Sequence, residues 1–203
     1  SGGYNIRASV LQNSQLPYDD EQVDSLEIGS KMAFLDQRMF LNLAYFHNKY
    51  KDIQLSVFTS CTVAGVTTFC GDFTNAGKGT VKGLEMELQY RPTENWYITG
   101  NLAKLDAKFD EYLFKGFNIA DRQEFTNAPD FSGALNVEYR TPVGEGGELS
   151  MRVGYSYQSE VTATTEVTKD PVTNAVVAPI HQDGYGLVSA GAIYKTGGAW
   201  TFS

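Results

Sequence analysis

Apolar and polar residues alternate in this chain on both sides of short polar turns, and this pattern constrains its fold more than any other feature. The alternation is clearest in 83–90, where Leu84, Met86 and Leu88 alternate with Glu85 and Glu87. A period of two over segments of this length predicts β-strands, and the short turns between them predict hairpins. The turns lie at 35–38, 91–95, 141–147 and 195–198.

The alternation also predicts which residues face each other across each hairpin. Paired residues must point to the same face of the sheet, so apolar residues should lie opposite apolar residues. A two-residue loop at Asp36-Gln37 achieves this for the first hairpin, and similar registers achieve it for the next two. The predicted pairs are Met32 with Leu41, Ile28 with Tyr45, Lys31 with Asn42, Tyr90 with Trp96, Leu88 with Ile98, Leu84 with Leu102, Glu87 with Thr99, Glu85 with Asn101, Tyr139 with Met151, Val137 with Val153, Leu135 with Tyr155, and Glu138 with Arg152. The last of these is a cross-strand ion pair.

The segment 185–194 is predicted to be a further strand, but the sequence does not show which of its side chains lie on the apolar face. Leu187 and Ile193 fall on one face, whereas Val188 and Tyr194 fall on the other. With the start of another strand after 198, the sequence predicts about eight antiparallel strands in up-and-down order.

Such hairpins also fit a soluble β-sandwich, which likewise has one apolar face. Three features favour a transmembrane barrel. The short turns lie at one end, and long polar segments at 56–78, 110–127 and 160–184 lie at the other, as in outer-membrane barrels. Aromatic residues flank the short turns at matching heights, as in an interfacial girdle. They are Phe34, Tyr90, Trp96, Tyr139, Tyr194 and Trp200.

The polar face of these strands is the third feature that favours a barrel. Its residues include Glu85, Glu87, Glu138 and Arg152, which could not form a soluble core together. We expect these four side chains to face a wet lumen or a polar plug that fills it. We therefore predict an all-β fold, built of antiparallel transmembrane strands that form part of a larger barrel.

Composition excludes several other classes. The 203 residues carry a formal net charge of −8, which argues against nucleic acid as a partner. No apolar run approaches the roughly 18 residues of a membrane helix. We find no catalytic triad, phosphate loop, metal-ligand cluster or cofactor motif, and the two histidines, His47 and His181, are far apart. The sequence therefore predicts neither an enzyme nor a cofactor or metal site.

Cys61 and Cys70 are the two cysteines of the chain. They cannot form a closed zinc site alone, and no histidine is near them. We predict a disulfide that closes a small loop, which would indicate an oxidising compartment or the cell surface; two free thiols are the alternative.

Four sequence motifs in series resemble the barrel strands of TonB-dependent outer-membrane receptors. They are Y-D-D-E-Q-V-D-S-L-E-I-G-S-K at 18–31, L-N-L-A-Y-F-H-N-K-Y-K-D-I-Q at 41–54, N-A-G-K-G-T-V-K-G-L-E-M-E at 75–87, and N-A-P-D-F at 127–131. Within them, Gly83 would permit close strand approach, and Pro129 would stand where no ladder donor is needed. The resemblance covers most of the chain from residue 18 onward.

The resemblance implies a barrel of 22 strands closed by a plug, in a bacterial outer membrane. It implies uptake of a scarce nutrient, such as an iron–siderophore or other metal chelate, or a saccharide. The partners implied are this small molecule, outer-membrane lipid or lipopolysaccharide, and TonB, which would act only through a plug. We see no plug-like segment, TonB box or closing terminal strand, so we expect 1–203 to be roughly a third of such a receptor, from the later part of its barrel.

Ligand contact in such a receptor would fall on the long loops. We single out Tyr112, Phe114, Lys115 and Phe117, because they combine aromatic and basic groups, and the segment 162–180. The opposing interpretation is that these side chains only cap their loop. Two other functions stay open: a small complete barrel with a structural or adhesive role, and a soluble carbohydrate-binding module.

Overall fold

The computed structural model describes residues 3–4, 17–63, 66–114, 116–163, 172, 180–198 and 200–202. For 3–4, 17, 55–63, 66–74 and 76 it describes the backbone alone. The strands are β1 (Gly3–Tyr4), β2 (Pro17–Tyr18), β3 (Gln22–Phe34), β4 (Met39–Val63), β5 (Val66–Tyr90), β6 (Trp96–Phe114), β7 (Phe117–Asn118), β8 (Phe131–Val143), β9 (Gly147–Gln158), β10 (Val161–Thr162), β11 (His181–Gln182), β12 (Tyr185–Lys195) and β13 (Thr201–Phe202). A 3-10 helix spans Ala120–Arg122. No helix in these ranges is long and apolar enough to cross a membrane.

One antiparallel sheet contains eight of these strands, in the order β3-β4-β5-β6-β8-β9-β12-β13. Each strand pairs with the next along the chain, except that β7 folds back on the end of β6 and β10 pairs with β11. The sheet is open, with β3 and β13 at its edges. This confirms the predicted all-β, up-and-down arrangement of about eight strands.

The first and third hairpin registers are confirmed. Met32 lies opposite Leu41 and Ile28 opposite Tyr45 in the first hairpin. The third hairpin has every predicted pair, including Glu138 opposite Arg152.

The register predicted for the second hairpin was wrong by two residues, because Tyr90 pairs with Ile98 and not with Trp96. The turn residues bind to the neighbouring turn at 35–38 instead of closing a tight hairpin. Arg91 N donates to the Arg38 carbonyl at 2.8 Å, and the Arg38 guanidinium donates to the Pro92 carbonyl at 3.3 Å. An even shift leaves every side chain on its predicted face, so the sorting of the faces survives the error.

The two faces of the sheet differ in chemistry, and the residues that the structure describes place no covering layer over the apolar one. Leu84 is 57% exposed, Leu135 48% and Val153 55%. Among the side chains that the structure describes, the buried apolar and aromatic ones are Ile53, Tyr112, Phe114, Ile119 and Val161, all away from the middle of this face. The described part of the chain therefore forms no buried core of the kind found in soluble proteins across the central rows of the sheet.

The facing of β12, which the sequence left open, follows from its register. Val188 lies opposite Tyr155 and Tyr194 opposite Leu149, so both belong to the apolar face. Leu187 lies opposite Ser156, on the polar face.

The long segment at 56–78 is a paired β-hairpin in its described residues, and its position outside the cell stays a prediction. Strands β4 and β5 continue through these residues, with Val63 opposite Val66. The ladder needs only backbone donors and acceptors, and the Thr, Val and Phe residues of this segment favour extended backbone. Loss of apolar alternation therefore marks the limit of the apolar face and not the end of the strands.

Candidate functional site

The end of the sheet away from the short turns, here called the distal end, holds a folded segment that connects β6 to β8. The ladder between β6 and β8 stops at Lys104 opposite Phe131, and one further bond joins Leu105 N to the Asp130 carbonyl at 2.9 Å. Beyond that point β6 continues to Phe114, while residues 116–130 leave the sheet and fold back.

An aromatic cluster holds this segment against β6. The rings of Phe109 and Phe125 stack with centroids 4.1 Å apart at 8°, and Tyr112 meets Phe109 edge-on at 5.1 Å. Tyr112, Phe114 and Ile119 form a small buried core. Burial raises the pKa of the Tyr112 hydroxyl, so the group is neutral at physiological pH.

Backbone bonds fix the turn that this core covers. Phe114 pairs with Phe117, and Gly116 between them has φ +81°, a conformation that a side chain would disfavour. The Asn118 side-chain oxygen then accepts hydrogen bonds from the amides of Tyr112 and Ala120, both at 3.1 Å. This short hairpin is therefore held by both packing and hydrogen bonds.

The four predicted ligand-contact residues differ in their exposure in this segment. Tyr112 is 3% exposed and Phe114 is buried, so both pack inside the segment. Phe117 is 51% exposed and is not part of this core. Lys115 lies outside the described residues, as do 164–171 and 173–179 within the predicted contact segment 162–180. Ligand contact by any of them stays a prediction.

A cavity of about 1220 Å³ opens between the edge of β6 and the folded segment. Carboxylates outnumber basic groups in its lining, so its field favours positively charged or hydrogen-bond-donating solutes. Its volume exceeds that of a typical small-molecule pocket. The charged residues that line it are Lys104, Asp106, Lys108, Asp110, Asp121, Arg122, Glu124, Asp130 and Glu160.

Thr162 ties the far wall of this cavity to the folded segment. Its hydroxyl donates a short hydrogen bond to the Glu124 carboxylate, and its carbonyl accepts the amide of Asn127 at 3.0 Å. The His181 ring nitrogen lies 3.3 Å from the same hydroxyl and 3.6 Å from Glu160. Sequence reasoning missed Asn118, and it singled out Thr162 without predicting its bond to Glu124, since nothing in the local pattern shows which distant amide or carboxylate a polar side chain will bind.

The four predicted lumen-facing residues share one face by register and strand alternation. Glu87 accepts a hydrogen bond from the Asn42 side chain at 3.1 Å, and Glu85 lies opposite Ala44 and Ala103. Glu138 binds Arg152 across the hairpin at 3.2 Å, which confirms the predicted ion pair. Whether this face lines a lumen stays a prediction.

The predicted disulfide falls where only the backbone is described. Cys61 lies opposite Thr68, and Cys70 lies opposite Thr59. The two cysteines are thus two register positions from being directly opposite. Their side chains lie outside the described part of the chain, so the disulfide stays a prediction.

Within the described residues there is no group of three or more His, Cys, Asp or Glu side chains that could hold a metal ion. What the arrangement offers is an open cavity with hydrogen-bonding and charged groups, beside an exposed aromatic ring.

Comparisons with known proteins agree on one family. A family model for the TonB dependent receptor-like β-barrel matches residues 2–203. The metal-pseudopaline receptor CntO of Pseudomonas aeruginosa is 27% identical over 140 residues, which cover 68% of this chain and 18% of that protein. The probable TonB-dependent siderophore receptor PiuA of Acinetobacter baumannii is 22% identical over 170 residues, which cover 75% of this chain and 21% of that protein.

The fold comparison agrees with these matches. The crystal structure of the ferric yersiniabactin uptake receptor FyuA from Yersinia pestis matches with a TM-score of 0.62 at 17% identity, over 96% of this chain and 26% of that chain. This likeness concerns the fold alone. The chain spans about a quarter or less of the length of these relatives, below the third that the resemblance led us to expect.

Proposed function

Because this chain belongs to the TonB-dependent receptor-like β-barrel family, we propose that the complete protein carrying it takes up a metal chelate across a bacterial outer membrane. The chain contributes wall strands and part of the outer binding surface. TonB supplies energy through a plug that lies outside this chain. The chain catalyses no reaction.

The observation that carries this proposal is the difference between the two faces of the sheet. Leu84, Leu135 and Val153 are about half exposed on one face, while Glu85 and Glu87 occupy the other. In water, such an uncovered apolar face would be a large exposed patch of the kind that marks an interaction surface. Lipid covers it without any further protein layer, and the polar face then lines the interior of a barrel.

The chelate as substrate is supported by two relatives and by the distal end. Their names give a metal-pseudopaline receptor and a siderophore receptor. Metal chelates of this kind are small molecules with many hydrogen-bonding groups, which suits a large open cavity lined by charged side chains. The described residues hold no preformed metal-ligand cluster, which suits a metal that arrives already chelated.

Within the distal end we propose that Phe117 and Lys115 contact the chelate, while Tyr112 and Phe114 keep the segment folded. Phe117 is the exposed aromatic of the four predicted residues, whereas Tyr112 packs against Phe109. A flat exposed ring offers apolar and stacking contact to an aromatic or conjugated chelator.

Disruption of the gene in its own organism tests the uptake function. We expect growth to fail when iron is sequestered, and uptake of radioactive iron given as catecholate, hydroxamate or phenolate complexes to drop for at least one of them. The intact gene should restore both. Unchanged uptake of all three complexes with impaired uptake of an oligosaccharide would overturn the chelate and favour a saccharide.

The binding role of Phe117 needs a control of equal exposure. Phe117→Ala should weaken chelate binding without changing the amount of folded receptor, while Leu35→Ala should change neither. Leu35 is also 51% exposed, but it lies in a short turn at the opposite end of the sheet. Equal chelate affinity in the Phe117→Ala and Leu35→Ala proteins would remove Phe117 from the binding surface.

A further inference from the structure

Strand β6 has an unpaired stretch along the cavity at the distal end, here called the open edge. Pairing with the β8 side ends where Leu105 N donates to the Asp130 carbonyl at 2.9 Å. In the described part of the chain, hydrogen bonding on this side of β6 resumes at Tyr112, whose amide donates to the Asn118 side-chain oxygen at 3.1 Å. The open edge is therefore the stretch 106–111.

Two residues of the open edge present their backbone groups to the cavity. In an antiparallel sheet, the amides and carbonyls of successive residues point alternately to the two neighbouring strands. Leu105 N points towards β8, so the amides and carbonyls of Ala107 and Phe109 point the same way, into the cavity that both residues line. Among the described residues, these groups have no hydrogen-bond partner. Two donors and two acceptors of the strand are thus available to a ligand.

The folded segment leaves the open edge free because its own backbone bonds are made elsewhere. Thr126 forms a parallel bridge with Thr162, and Asn127 N donates to the Thr162 carbonyl at 3.0 Å. Phe125 of the same segment stacks on Phe109 with ring centroids 4.1 Å apart. Both walls of the cavity are therefore held in place, and the edge between them is preorganised for the addition of a strand.

The dimensions of the cavity suit an extended peptide. Its volume of about 1220 Å³ exceeds the range of roughly 300–1,000 Å³ that is usual for small-molecule pockets. The amides of Ala107 and Phe109 are two residues apart along the strand, which is about 7 Å. An extended peptide presents its own amides and carbonyls with the same repeat, so it can bind both residues at once.

The charges that line the cavity favour a basic occupant. Six carboxylates line it, against the basic groups of Lys104, Lys108 and Arg122. Lys82 binds Asp106 at 3.3 Å from outside the lining, and with Lys82 included six carboxylates still face four basic groups. The six carboxylates are those of Asp106, Asp110, Asp121, Glu124, Asp130 and Glu160.

Neighbouring charges outside the lining do not remove this surplus of two. Lys78 and Glu111 pair with each other at 2.9 Å, so they add no net charge. His181 lies 3.6 Å from Glu160, and its protonation would lower the surplus to one. A peptide with one basic side chain therefore complements the charge of the cavity.

From the open edge and the carboxylates around it, we propose that this cavity binds a short, extended peptide with a basic side chain. The peptide adds to β6 as a further strand. Its amides donate to the Ala107 and Phe109 carbonyls, and its carbonyls accept the amides of the same two residues. Such a peptide is either free or part of a metal chelate. The inference does not require chelate uptake, so each can fail without the other.

The test uses the complete receptor that carries this chain, purified in detergent. The probe is an acetylated and amidated pentapeptide of four alanines around a central lysine, labelled with a fluorophore and followed by its anisotropy. Methylation of all its backbone nitrogens removes the donors of two hydrogen bonds, and at about fivefold per bond it should weaken binding about 25-fold. Replacement of its lysine by glutamate should weaken binding about tenfold.

Ala107→Pro tests the open edge itself. Proline removes the Ala107 amide hydrogen without breaking the ladder with β5, because that amide points away from β5. We expect this variant to bind the pentapeptide about fivefold more weakly. Ala107→Ser keeps the amide hydrogen and should bind the pentapeptide as the unmodified receptor does.

Asp130→Asn with Glu160→Gln tests the charge of the cavity. Neither carboxylate forms an ion pair with lysine or arginine within the described residues, so the double variant breaks none. At about threefold per exposed carboxylate, it should bind the pentapeptide about tenfold more weakly. Glu94→Gln with Glu145→Gln is the matched control, because it removes two exposed carboxylates from the short turns at the opposite end of the sheet. It should leave the affinity unchanged.

Attachment of the pentapeptide to a ferric trihydroxamate distinguishes the two sources of such a peptide. Tighter binding of the linked compound than of the peptide or the trihydroxamate alone would indicate a peptide that is part of a chelate. Equal binding of the free and the linked peptide would indicate a free one. Binding of the trihydroxamate alone, measured on the same samples, reports on the uptake function separately.

Three results would overturn the peptide site. They are no binding of the pentapeptide in either form, equal affinity for the methylated and unmethylated pentapeptides, and equal affinity of the Ala107→Pro and Ala107→Ser receptors. Mobility on unboiled gels first shows that each variant is folded. Should Ala107→Pro fail to fold, the methylated pentapeptide decides the question on the unmodified receptor.

Discussion

Glu138 lies directly opposite Arg152 across the hairpin of β8 and β9, and its carboxylate binds two guanidinium groups at once. Arg140 Nε donates at 2.6 Å and Arg152 Nη2 at 3.2 Å, and the Ser150 hydroxyl donates at 2.9 Å. The Glu138 side chain is 8% exposed, whereas both arginine side chains are more than half exposed. The nearly buried Glu138 carboxylate therefore binds two solvent-exposed guanidinium groups on the polar face.

Replacement of this anion should cost little stability, because the arginines left behind remain hydrated. We expect Glu138→Gln to lower the free energy of unfolding by about 1 kcal/mol. Glu87→Gln is the control on the same face, since within the described residues Glu87 accepts one side-chain hydrogen bond, from the Asn42 amide. This variant should lower the free energy of unfolding by less. Double-mutant cycles should give a larger coupling of Glu138 with Arg140 than with Arg152, in line with the shorter bond. Urea titration of the complete protein in lipid vesicles gives all these values, and a Glu87→Gln cost equal to that of Glu138→Gln would contradict the assignment.

Gly83 occupies a position where the neighbouring strand leaves no room for a side chain. A Cβ there would lie 2.5 Å from the Lys104 carbonyl and 2.7 Å from the Phe46 ring. Gly83→Ala should therefore destabilise the barrel by about 1–3 kcal/mol, because backbone must move to admit the methyl group.

Gly191→Ala is the matched control for Gly83→Ala, since a Cβ at Gly191 meets nothing within 4 Å. It should be neutral or slightly stabilising, because alanine restricts the unfolded chain. The same denaturant titration compares the two variants, and equal midpoints would show that β5 and β6 do not approach this closely.

The sequence was enough to predict which side chains lie on the apolar face and which lie on the polar face. Strand register and strand length could be predicted only in part. Side chains alternate between the two faces along a strand, so a register error of two residues keeps Leu88 and its neighbours on the predicted face. That error arose because the Pro92 turn binds the adjacent turn, a contact between residues 54 positions apart. Strands β4 and β5 run beyond the apolar face because their ladder does not depend on side-chain chemistry.

The candidate site was less accessible to sequence reasoning for a related reason. Aromatic content singled out 112–117, but only the structure shows that Phe117 is exposed while Tyr112 and Phe114 are buried. Tyr112 is buried because the following segment folds back and Phe125 stacks on Phe109. The way this segment folds back depends on contacts between residues far apart in the sequence, and the alternation of neighbouring residues does not show them.

The apolar face makes a prediction that separates a membrane barrel from a soluble sheet. Leu135 is 48% exposed and sits in the middle rows of this face, opposite Tyr155. In a bilayer, Leu135→Lys should cost about 2–4 kcal/mol, because the charge is placed near the membrane midplane. Asn101→Lys, on the polar face beside Glu87, should cost little. A soluble sheet would tolerate the lysine at 135 as well, so equal folding yields of the two variants in vesicles would exclude a lipid-facing Leu135.

Strand β12 allows a direct test of which face meets lipid, because two adjacent apolar residues point in opposite directions. Val188 is 75% exposed opposite Tyr155, and Leu187 is 59% exposed opposite Ser156. Spin labels at Val188→Cys and Leu187→Cys, in a protein whose Cys61 and Cys70 are replaced by serine, report the surroundings of each position.

Oxygen dissolves in hydrocarbon and a charged nickel chelate stays in water. The label at 188 should therefore be relaxed mainly by oxygen, and the label at 187 mainly by the nickel chelate. The reversed pattern would mean that β12 is shifted by one residue relative to β9, because a one-residue slip moves every side chain to the other face.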